Sequence, residues 1–468
     1  MTIVRRCLQG VLLTAALGSA HEARADELAA PPRAVSLQEA IGFAREHQPQ
    51  VRAALARIAA AQAAADVPTA QWLPKLGASA QAFLGSENNT TASYIGSPYV
   101  DLPRIGGTAV VNASTATFQP FGSTFAAVGI GQEVFDFGRI AAQSAAADAL
   151  VDATKHSSDA TRLDVDLDVE EAFYAVLTAK EILRASEQAY ERSQTHRDLA
   201  KAGVTAGLHP PIDLTRAEAE LAHFEIGRIR ARGGVTTSQA VLAASVGAPE
   251  LALDANGTLP AAGDVPALSA ALELAAARDP RVAEAVSKVR AQEARSRAIS
   301  AEMRPDLSAT ATFSGRAGGA ARGSAAVADY YGWLPTIPNW DVGLVFSWPI
   351  YDGTVVARAR AADAQAQALR EEVAALKETL TAEVERAYIA VQVARDALPG
   401  LQQQRDAAIA NYDQADARFK AGLGTAVELA DAEALRADAD IQLARGKFDL
   451  AKSRAALGRA IAEGLAKR

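Results

Sequence analysis

Two kinds of hydrophobic pattern divide the chain. In residues 369–391, apolar side chains recur at steps of three and four, which places them on one helix face and is typical of a coiled coil. Two alanine-rich runs, residues 139–206 and 354–421, contain a single proline, Pro399. Each run is predicted to form one long helix or two stacked helices. A single helix of this length would extend about 100 Å.

The second pattern is an alternation of apolar or bulky residues with small or polar ones. It occurs in four segments, residues 77–84, 124–135, 307–314 and 342–348. A period of two predicts β-strands with one apolar face. The strands fall in the windows 75–137 and 307–352, which hold more than half of the aromatic residues of the chain. Each window is therefore predicted to be a strand, a polar loop and a strand.

The two halves of the chain repeat each other. Pro49 and Pro280 lie in similar segments separated by an offset of 231, and Gly138 and Gly353 begin long similar segments with an offset of 215. Such duplication predicts two structural repeats. Their predicted bounds are 26–260, with a β-hairpin at about 75–137 and a helical hairpin at about 139–247, and 261–468, with a β-hairpin at about 307–352 and a helical hairpin at about 354–460.

The beginning of the chain has the layout of a secretory signal peptide. Arg5 and Arg6 precede an apolar stretch, and the small-residue sequence at 23–25 fits a cleavage site. We expect residues 1–25 to be removed, and Cys7, the only cysteine, with them. The net charge of −8 gives no indication of nucleic-acid binding.

Four strands per chain are too few to close a barrel. An open sheet edge cannot lie in lipid, because its backbone amides would have no hydrogen-bond partners. Two chains would supply eight strands and three chains twelve, and both numbers occur in bacterial barrels. The strand pattern by itself leaves this choice open.

Several motifs in the same order resemble the TolC-like outer-membrane efflux proteins along almost the whole expected mature chain. They are the two openings at 37–51 and 268–282, the segments 72–74 and 303–305 before strands, the strand-to-helix junctions 135–138 and 351–353, and residues 420–425 at a hairpin tip. The resemblance implies a mainly α fold with a β-barrel portion. In it, a homotrimer forms a twelve-stranded outer-membrane β-barrel that continues as a long periplasmic coiled-coil barrel.

The resemblance also implies a function and partners. A protein of this family is a non-enzymatic duct of a tripartite efflux or type I secretion system. It lies in outer-membrane lipid and works with a periplasmic adaptor and an inner-membrane pump. The loops 87–112 and 315–338 are then expected outside the cell.

Candidate site residues follow from the same resemblance. Glu428 and Asp431 match the acidic pair that faces the tunnel at its periplasmic constriction, and Asp213 is the counterpart of Glu428 in the first repeat. Arg216 replaces the counterpart of Asp431, so the first repeat does not duplicate the pair. The tips are expected to dock the adaptor through Gly207, Leu208, Gly422, Leu423 and Gly424.

Other functional classes have less support in the sequence. A soluble periplasmic coiled-coil adaptor or structural spacer would need one helical hairpin and would leave both strand windows unexplained. The sequence has no convergent acid, base and nucleophile, and its histidines lack a paired metal-ligand spacing. We therefore expect no enzymatic activity, cofactor or metal, and the exported substrate is not encoded in any motif.

Overall fold

The computed structural model describes residues 32–86, 120–207, 209–260, 263–318 and 337–465. The first repeat contains β1 (Arg33–Val35), α1 (Leu37–His47), α2 (Pro49–Thr69), β2 (Lys75–Ser86), β3 (Pro120–Phe135), α3 (Arg139–Thr205) and α4 (Pro211–Ser245). The strand β4 (Leu253–Ala255) also lies within the predicted bounds of the first repeat. The second repeat contains α5 (Leu268–Arg278), α6 (Pro280–Ala301), β5 (Asp306–Gly318), β6 (Ile337–Ser347), α7 (Gly353–Lys420) and α8 (Ala426–Ala460). Short 3₁₀ helices occupy Ala70–Trp72 and Glu463–Leu465.

Each of the two long runs forms one continuous helix. The helix α3 has 67 residues and α7 has 68, and α7 continues through Pro399. Their alanines have high helix propensity and allow close packing. The helix α3 packs against α2, α4, α6 and α8, while α7 packs against α5, α6 and α8. In the part of the molecule farther from the large sheet, the helices therefore lie in the order α4-α3-α8-α7. In the part nearer this sheet, the order is α2-α3-α6-α7.

The large sheet has four antiparallel strands in the order β2-β3-β5-β6. The strands extend beyond the predicted segments, so residues 315–318 and 337–338 of the second predicted loop belong to β5 and β6. Val128 pairs with Phe313, and Phe313 with Trp340, so these large side chains share one face. They are exposed, whereas Thr312 and Ser314 on the other face are buried. The face with the bulky apolar side chains thus points outward.

The junction between β3 and α3 depends on a sharp backbone turn. Phe137 and Gly138 have positive φ values of 52° and 95°. The buried Asp136 accepts hydrogen bonds from the backbone N–H groups of Gly138 and Ile140. Arg304 of the second repeat donates from Nη1 to the carbonyl oxygen of Phe137 at 2.8 Å. The two repeats are therefore joined where the sheet meets the helices.

A second, smaller sheet lies at the opposite end of α4 from the first tip. It pairs β1 with β4 in parallel, and the pattern of the sequence did not predict it. It belongs to a core formed by α1, the start of α2, the middle of α3, the end of α4 and part of α8. The most buried members of this core include Ala44, Val51, Val169, Val176, Leu242 and Val246. Ser36 and Glu39 form a capping box that begins α1.

Two predicted features lie outside the described residues, namely the signal peptide at 1–25 and the loop 87–112, together with most of the loop 315–338. Among the helices that the structure describes, none combines the length and the apolarity needed to cross a lipid bilayer.

Candidate functional site

The two helical hairpins turn at the predicted glycines. Ala206 and Ala421 are the C-cap residues of α3 and α7, and the next residues, Gly207 and Gly422, have φ values of 72° and 70°. A left-handed residue after a helix is accessible to glycine at little cost, which explains why both helices stop here. We call residues 207–212 the first tip and residues 422–427 the second tip.

The helices that follow the tips begin in different ways. Pro211 is the first residue of α4, where its fixed φ favours helix initiation and its missing N–H is no loss. Thr425 caps α8, because its hydroxyl accepts a hydrogen bond from the N–H of Glu428 at 3.2 Å. The prolines of the first tip therefore replace the side-chain cap of the second tip.

The structure separates Glu428 from the other two predicted constriction residues. Glu428 is exposed in the first turn of α8, with an oxygen 3.9 Å from Arg418 Nη2. Asp431 is also exposed, and it lines a cavity of 310 Å³ that Asp213 lines from α4. Asp213 and Asp431 thus share one cavity within a single chain, while Glu428 lies outside it.

Asp213 also takes part in a contact between the two hairpins. Its Oδ2 lies 3.6 Å from Nδ1 of His209, and the His209 ring stacks on Phe419 with the ring centroids 5.6 Å apart. Phe419 lies in the last turn of α7. The first tip is therefore held against the end of α7 through His209.

The predicted docking residues lie at the end of the molecule. Leu423 is 75% exposed at the second tip. Gly207 and Gly422 are exposed as well, and Gly424 is half-buried, with its N–H donating to the carbonyl oxygen of Arg418. Leu208 lies outside the described residues.

The sequence patterns did not identify a buried polar cluster near the tips, where α3 contacts α8. We call this helix contact the seam. Arg192 on α3 donates from Nε to both carboxylate oxygens of Glu433 on α8, at 2.9 and 3.0 Å. Glu433 is fully buried, and burial raises its pKa against the opposing effect of Arg192. A charged pair therefore lies inside the helical layer.

The cluster extends to α7 through Tyr412. Its hydroxyl is 3.0 Å from Nε2 of His196, and Arg436 lies over its ring at 4.8 Å. Burial raises the pKa of Tyr412 to about 12 and lowers the pKa of His196, although Asp416 opposes the second effect. At neutral pH the tyrosine is protonated and the histidine is neutral.

One sequence signal could have identified this cluster. Leu429, Glu433 and Ala437 follow each other at steps of four on the buried face of α8. A glutamate on such an apolar stripe needs a partner, because an unpaired buried carboxylate is costly. The partner is 241 residues away in sequence, so only the folded chain identifies it as Arg192.

Within the residues that the structure describes, no three histidine, cysteine, aspartate or glutamate side chains are arranged to hold a metal ion.

Comparison with known proteins identifies the family. The family model for outer membrane efflux proteins matches residues 40–248 and 271–463. No curated protein has a significant sequence match to the chain.

Solved structures share the fold. The outer-membrane channel OprN has a TM-score of 0.71 at 22% identity, with 91% of this chain and 89% of that chain covered. The Campylobacter jejuni CmeC outer membrane channel has a TM-score of 0.72 at 16% identity, with coverages of 92% and 86%. VceC from Vibrio cholerae has a TM-score of 0.70 at 18% identity, with coverages of 91% and 95%. The family match over most of the chain, together with these long helices and the four-stranded sheet, establishes that the chain belongs to the outer membrane efflux protein family.

Proposed function

We propose that three copies of this outer-membrane efflux protein close into one duct that exports substrates from the periplasmic side to the exterior. The observation that carries the proposal is a sheet with an exposed apolar face and two edge strands, continuous with helices of 67 and 68 residues. Each copy offers β2 at one edge and β6 at the other. Pairing β6 of one copy with β2 of the next satisfies both edges and closes a ring.

The helical layer supports the same arrangement. In the order α4-α3-α8-α7, the outermost helices expose large apolar side chains to solvent. On α4 these include Ile226, Ile229 and Val241, and on α7 they are Ile389 and Val393. Val241 lies about 30 residues from the tip end of α4, and Ile389 lies about 30 residues from the tip end of α7. The two side chains are therefore about equally far from their tips. Contact between α4 of one copy and α7 of the next would bury these residues.

The apolar face of the sheet supports contact with outer-membrane lipid. Trp340, Val342 and Leu344 on β6 are 76%, 73% and 70% exposed, and Leu76 on β2 is 74% exposed. A surface of this kind is unfavourable in water and suits the hydrocarbon region of a bilayer. It also argues against a soluble adaptor or spacer, which would have no use for such a sheet.

At the other end, the tips would lie in the periplasm. We assign Glu428 and Asp431 to the constriction, where three copies would place six carboxylates around a narrow passage, with Asp213 stabilising the closed state. The exposed Leu423, with its neighbouring glycines, offers a small apolar surface to a periplasmic adaptor that joins the duct to an inner-membrane pump. The chemistry of this site is recognition and passage, with no role for a catalytic group.

The trimer is tested by native mass measurement in detergent and by cysteine pairing. The expected mature chain has no cysteine, so the double variant Val241→Cys/Ile389→Cys has one cysteine on each outer helix. On oxidation it should give covalent dimers and trimers, whereas Val241→Cys alone should not give the ladder. A monomeric mass and no cross-linked species would refute the ring.

Membrane association is tested separately. The duct should stay with the outer-membrane fraction through carbonate washing. Release of the protein by carbonate would favour the soluble spacer.

A further inference from the structure

The strand contact that joins the two β-hairpins within one chain is a template for the contact between copies. Inside the chain, β3 is the second strand of the first hairpin and pairs with β5, the first strand of the second hairpin. In a ring of copies, β6 is again the second strand of a hairpin, and it meets β2, the first strand of a hairpin in the next copy. Since the two hairpins are duplicates, the register inside the chain predicts the register between copies.

Equivalent residues of the two hairpins follow from the registers of their strands. Leu76 in β2 and Leu307 in β5 are equivalent, at the offset of 231 between the repeats. Leu76 pairs with Ile130 and Leu307 pairs with Phe346, so Ile130 and Phe346 are equivalent too. They are 216 residues apart, one more than the offset of 215 that follows, because the bulge near the end of β3 contains one extra residue.

The partner of Phe346 in the next copy then follows from the partner of Ile130. Across the junction inside the chain, Ile130 pairs with Ala311. The equivalent of Ala311, at the offset of 231, is Ala80 in β2. A junction between copies that repeats the one inside the chain therefore places Phe346 opposite Ala80 of the next copy.

The base of the sheet gives the same register by a separate route. Phe135, beyond the bulge, pairs with Leu307, and the offsets of 215 and 231 make Ile350 and Leu76 their equivalents. Ile350 and Leu76 are 82% and 74% exposed in one copy, so their contact would cover two apolar side chains. Moving four residues along each strand from this pair leads to the same partner for Phe346.

The sizes of the side chains fit this register. Phe346 and Leu344 are bulky and exposed on one face of β6, and Ala80 and Ala82 are exposed on the same face of β2. Each bulky side chain therefore lies opposite an alanine. A shift of one residue would instead set the outward side chains of β6 against the inward side chains of β2.

We propose that β6 pairs with β2 of the next copy in the antiparallel register that places Phe346 opposite Ala80 and Leu344 opposite Ala82. This register rests on the proposed function, because it requires the ring of three copies. The partner is a second copy of this chain, and the contact repeats the junction that each chain already contains between β3 and β5.

The register also fixes the stagger of the barrel. Paired residues lead from Leu76 through β3 and β5 to Val342, which then lies opposite Leu84 of the next copy. Each copy thus adds eight residues along β2, from position 76 to position 84, and three copies add 24. This is twice the number of strands, whereas a (β/α)8 barrel has a stagger equal to its number of strands. Such strands are strongly tilted and enclose a wide interior, so a constriction belongs to the helices.

Cysteine pairing in the full-length protein in detergent tests the register. The variants Phe346→Cys/Ala80→Cys and Leu344→Cys/Ala82→Cys are in register, while Phe346→Cys/Ala82→Cys and Leu344→Cys/Ala80→Cys are shifted by two residues. Opposite residues are close enough for a disulfide, but diagonal neighbours are about 7–8 Å apart. On oxidation with copper phenanthroline, the in-register variants should give covalent dimers and trimers at least about tenfold faster than the shifted variants.

The four variants control for one another. Each cysteine occurs once in an in-register variant and once in a shifted variant, so the folding or reactivity of one position cannot produce the difference. Within one chain, β2 and β6 are three strand spacings apart, about 14 Å, so a disulfide forms only between copies.

Three results would overturn the proposal. Equal or faster cross-linking by a shifted variant would give the ring a different register. No cross-linking in any of the four variants, with covalent trimers from the cysteine pair on α4 and α7, would show a ring without this strand contact. A monomeric mass of the wild type would refute the register and the ring together. The first two results leave the duct intact, so failure of the register is distinguishable from failure of the proposed function.

Discussion

Arg192 on α3 and Glu433 on α8 form an ion pair across the seam, with Arg192 Nε 2.9 and 3.0 Å from the two carboxylate oxygens. The pair joins a helix of the first repeat to a helix of the second. Glu433 has no contact with solvent, so the pair cannot exchange its partner for water. The two hairpins are therefore coupled by a contact that is costly to break from one side.

Removing the arginine should destabilise the protein strongly. Arg192→Met leaves a buried carboxylate unpaired, which costs about 3–5 kcal/mol per chain, and Arg192→Met/Glu433→Leu should recover much of this loss. Lys155→Met is the control, because it removes an exposed pair with Asp152 on the same helix and should cost less than about 1 kcal/mol. Denaturant unfolding measures all three, and equal midpoints for Arg192→Met and Lys155→Met would contradict the assignment.

The contact between His209 and Phe419 should help to keep the tips closed. His209→Ala removes the stack on α7 and the contact with Asp213, and an aromatic pair contributes about 0.5–1.5 kcal/mol. The open population should rise about two- to tenfold, measured as basal conductance in planar bilayers. His156→Ala, in the upper half of α3, serves as the control, and a conductance equal to wild type in His209→Ala would exclude this role.

The proposed constriction should make the duct selective for cations. The double variant Glu428→Ala/Asp431→Ala removes six negative charges from the trimer, so cation selectivity and block by multivalent cations should both decrease. Asp438→Ala removes an exposed carboxylate from α8 farther from the tip and should leave both unchanged. Reversal potentials in a salt gradient provide the measurement. Identical selectivity in the double variant would place these carboxylates outside the passage.

Docking of the adaptor should depend on the second tip. Leu423→Glu introduces a charge at a side chain that is 75% exposed, so assembly should be unaffected while efflux is lost. Thr379→Glu, at an exposed position in α7 far from the tip, should preserve both. Drug susceptibility of cells and the trimer mass report the two properties. Wild-type efflux by Leu423→Glu would remove the second tip from the docking surface.

Glu220 should make stability depend on pH. Burial, and then the charges of Glu433 and Asp431, raise its pKa to about 7 from an ordinary value of 4.5. The folded chain binds the proton of the Glu220 carboxyl more tightly than the unfolded chain does. The contribution of Glu220 to stability therefore falls as the pH rises from about 4.5 to about 7, and it stays low above pH 7. The other ionisable groups that line the cavity are Asp213, Arg216 and His223 on α4, and His196 on α3. Arg192 on α3 pairs with Glu433.

Glu220→Gln removes this penalty. This substitution should raise stability at pH 8 by on the order of 1–3 kcal/mol per chain and change it little at pH 5. Glu218→Gln should have little effect at either pH. Unfolding midpoints at the two pH values check the sign, and a gain of equal size at pH 5 and pH 8 would show that Glu220 does not titrate in this window.

The sequence by itself determined the elements of this fold, because the signals for them are local. Alternation over a few residues predicted the four long strands, and the alanine-rich runs predicted the long helices. The glycines at 207 and 422 predicted where the helices end, since a left-handed residue is needed there. Duplication then predicted that the two halves have the same order of elements.

Only the tertiary structure decided how these elements meet. The pairing of β1 with β4 rests on three residues per strand, too few to give a pattern, and is set by the core beneath it. The sequence predicted Glu428, Asp431 and Asp213 as constriction residues, whereas the cavity that Asp213, Glu220 and Asp431 line within one chain became visible only in the fold. The buried pair of Arg192 and Glu433 likewise depends on helix packing between residues far apart in the chain. Periodicity encodes which face of a helix is buried, whereas the partner that buries it is selected by the packing of the whole chain.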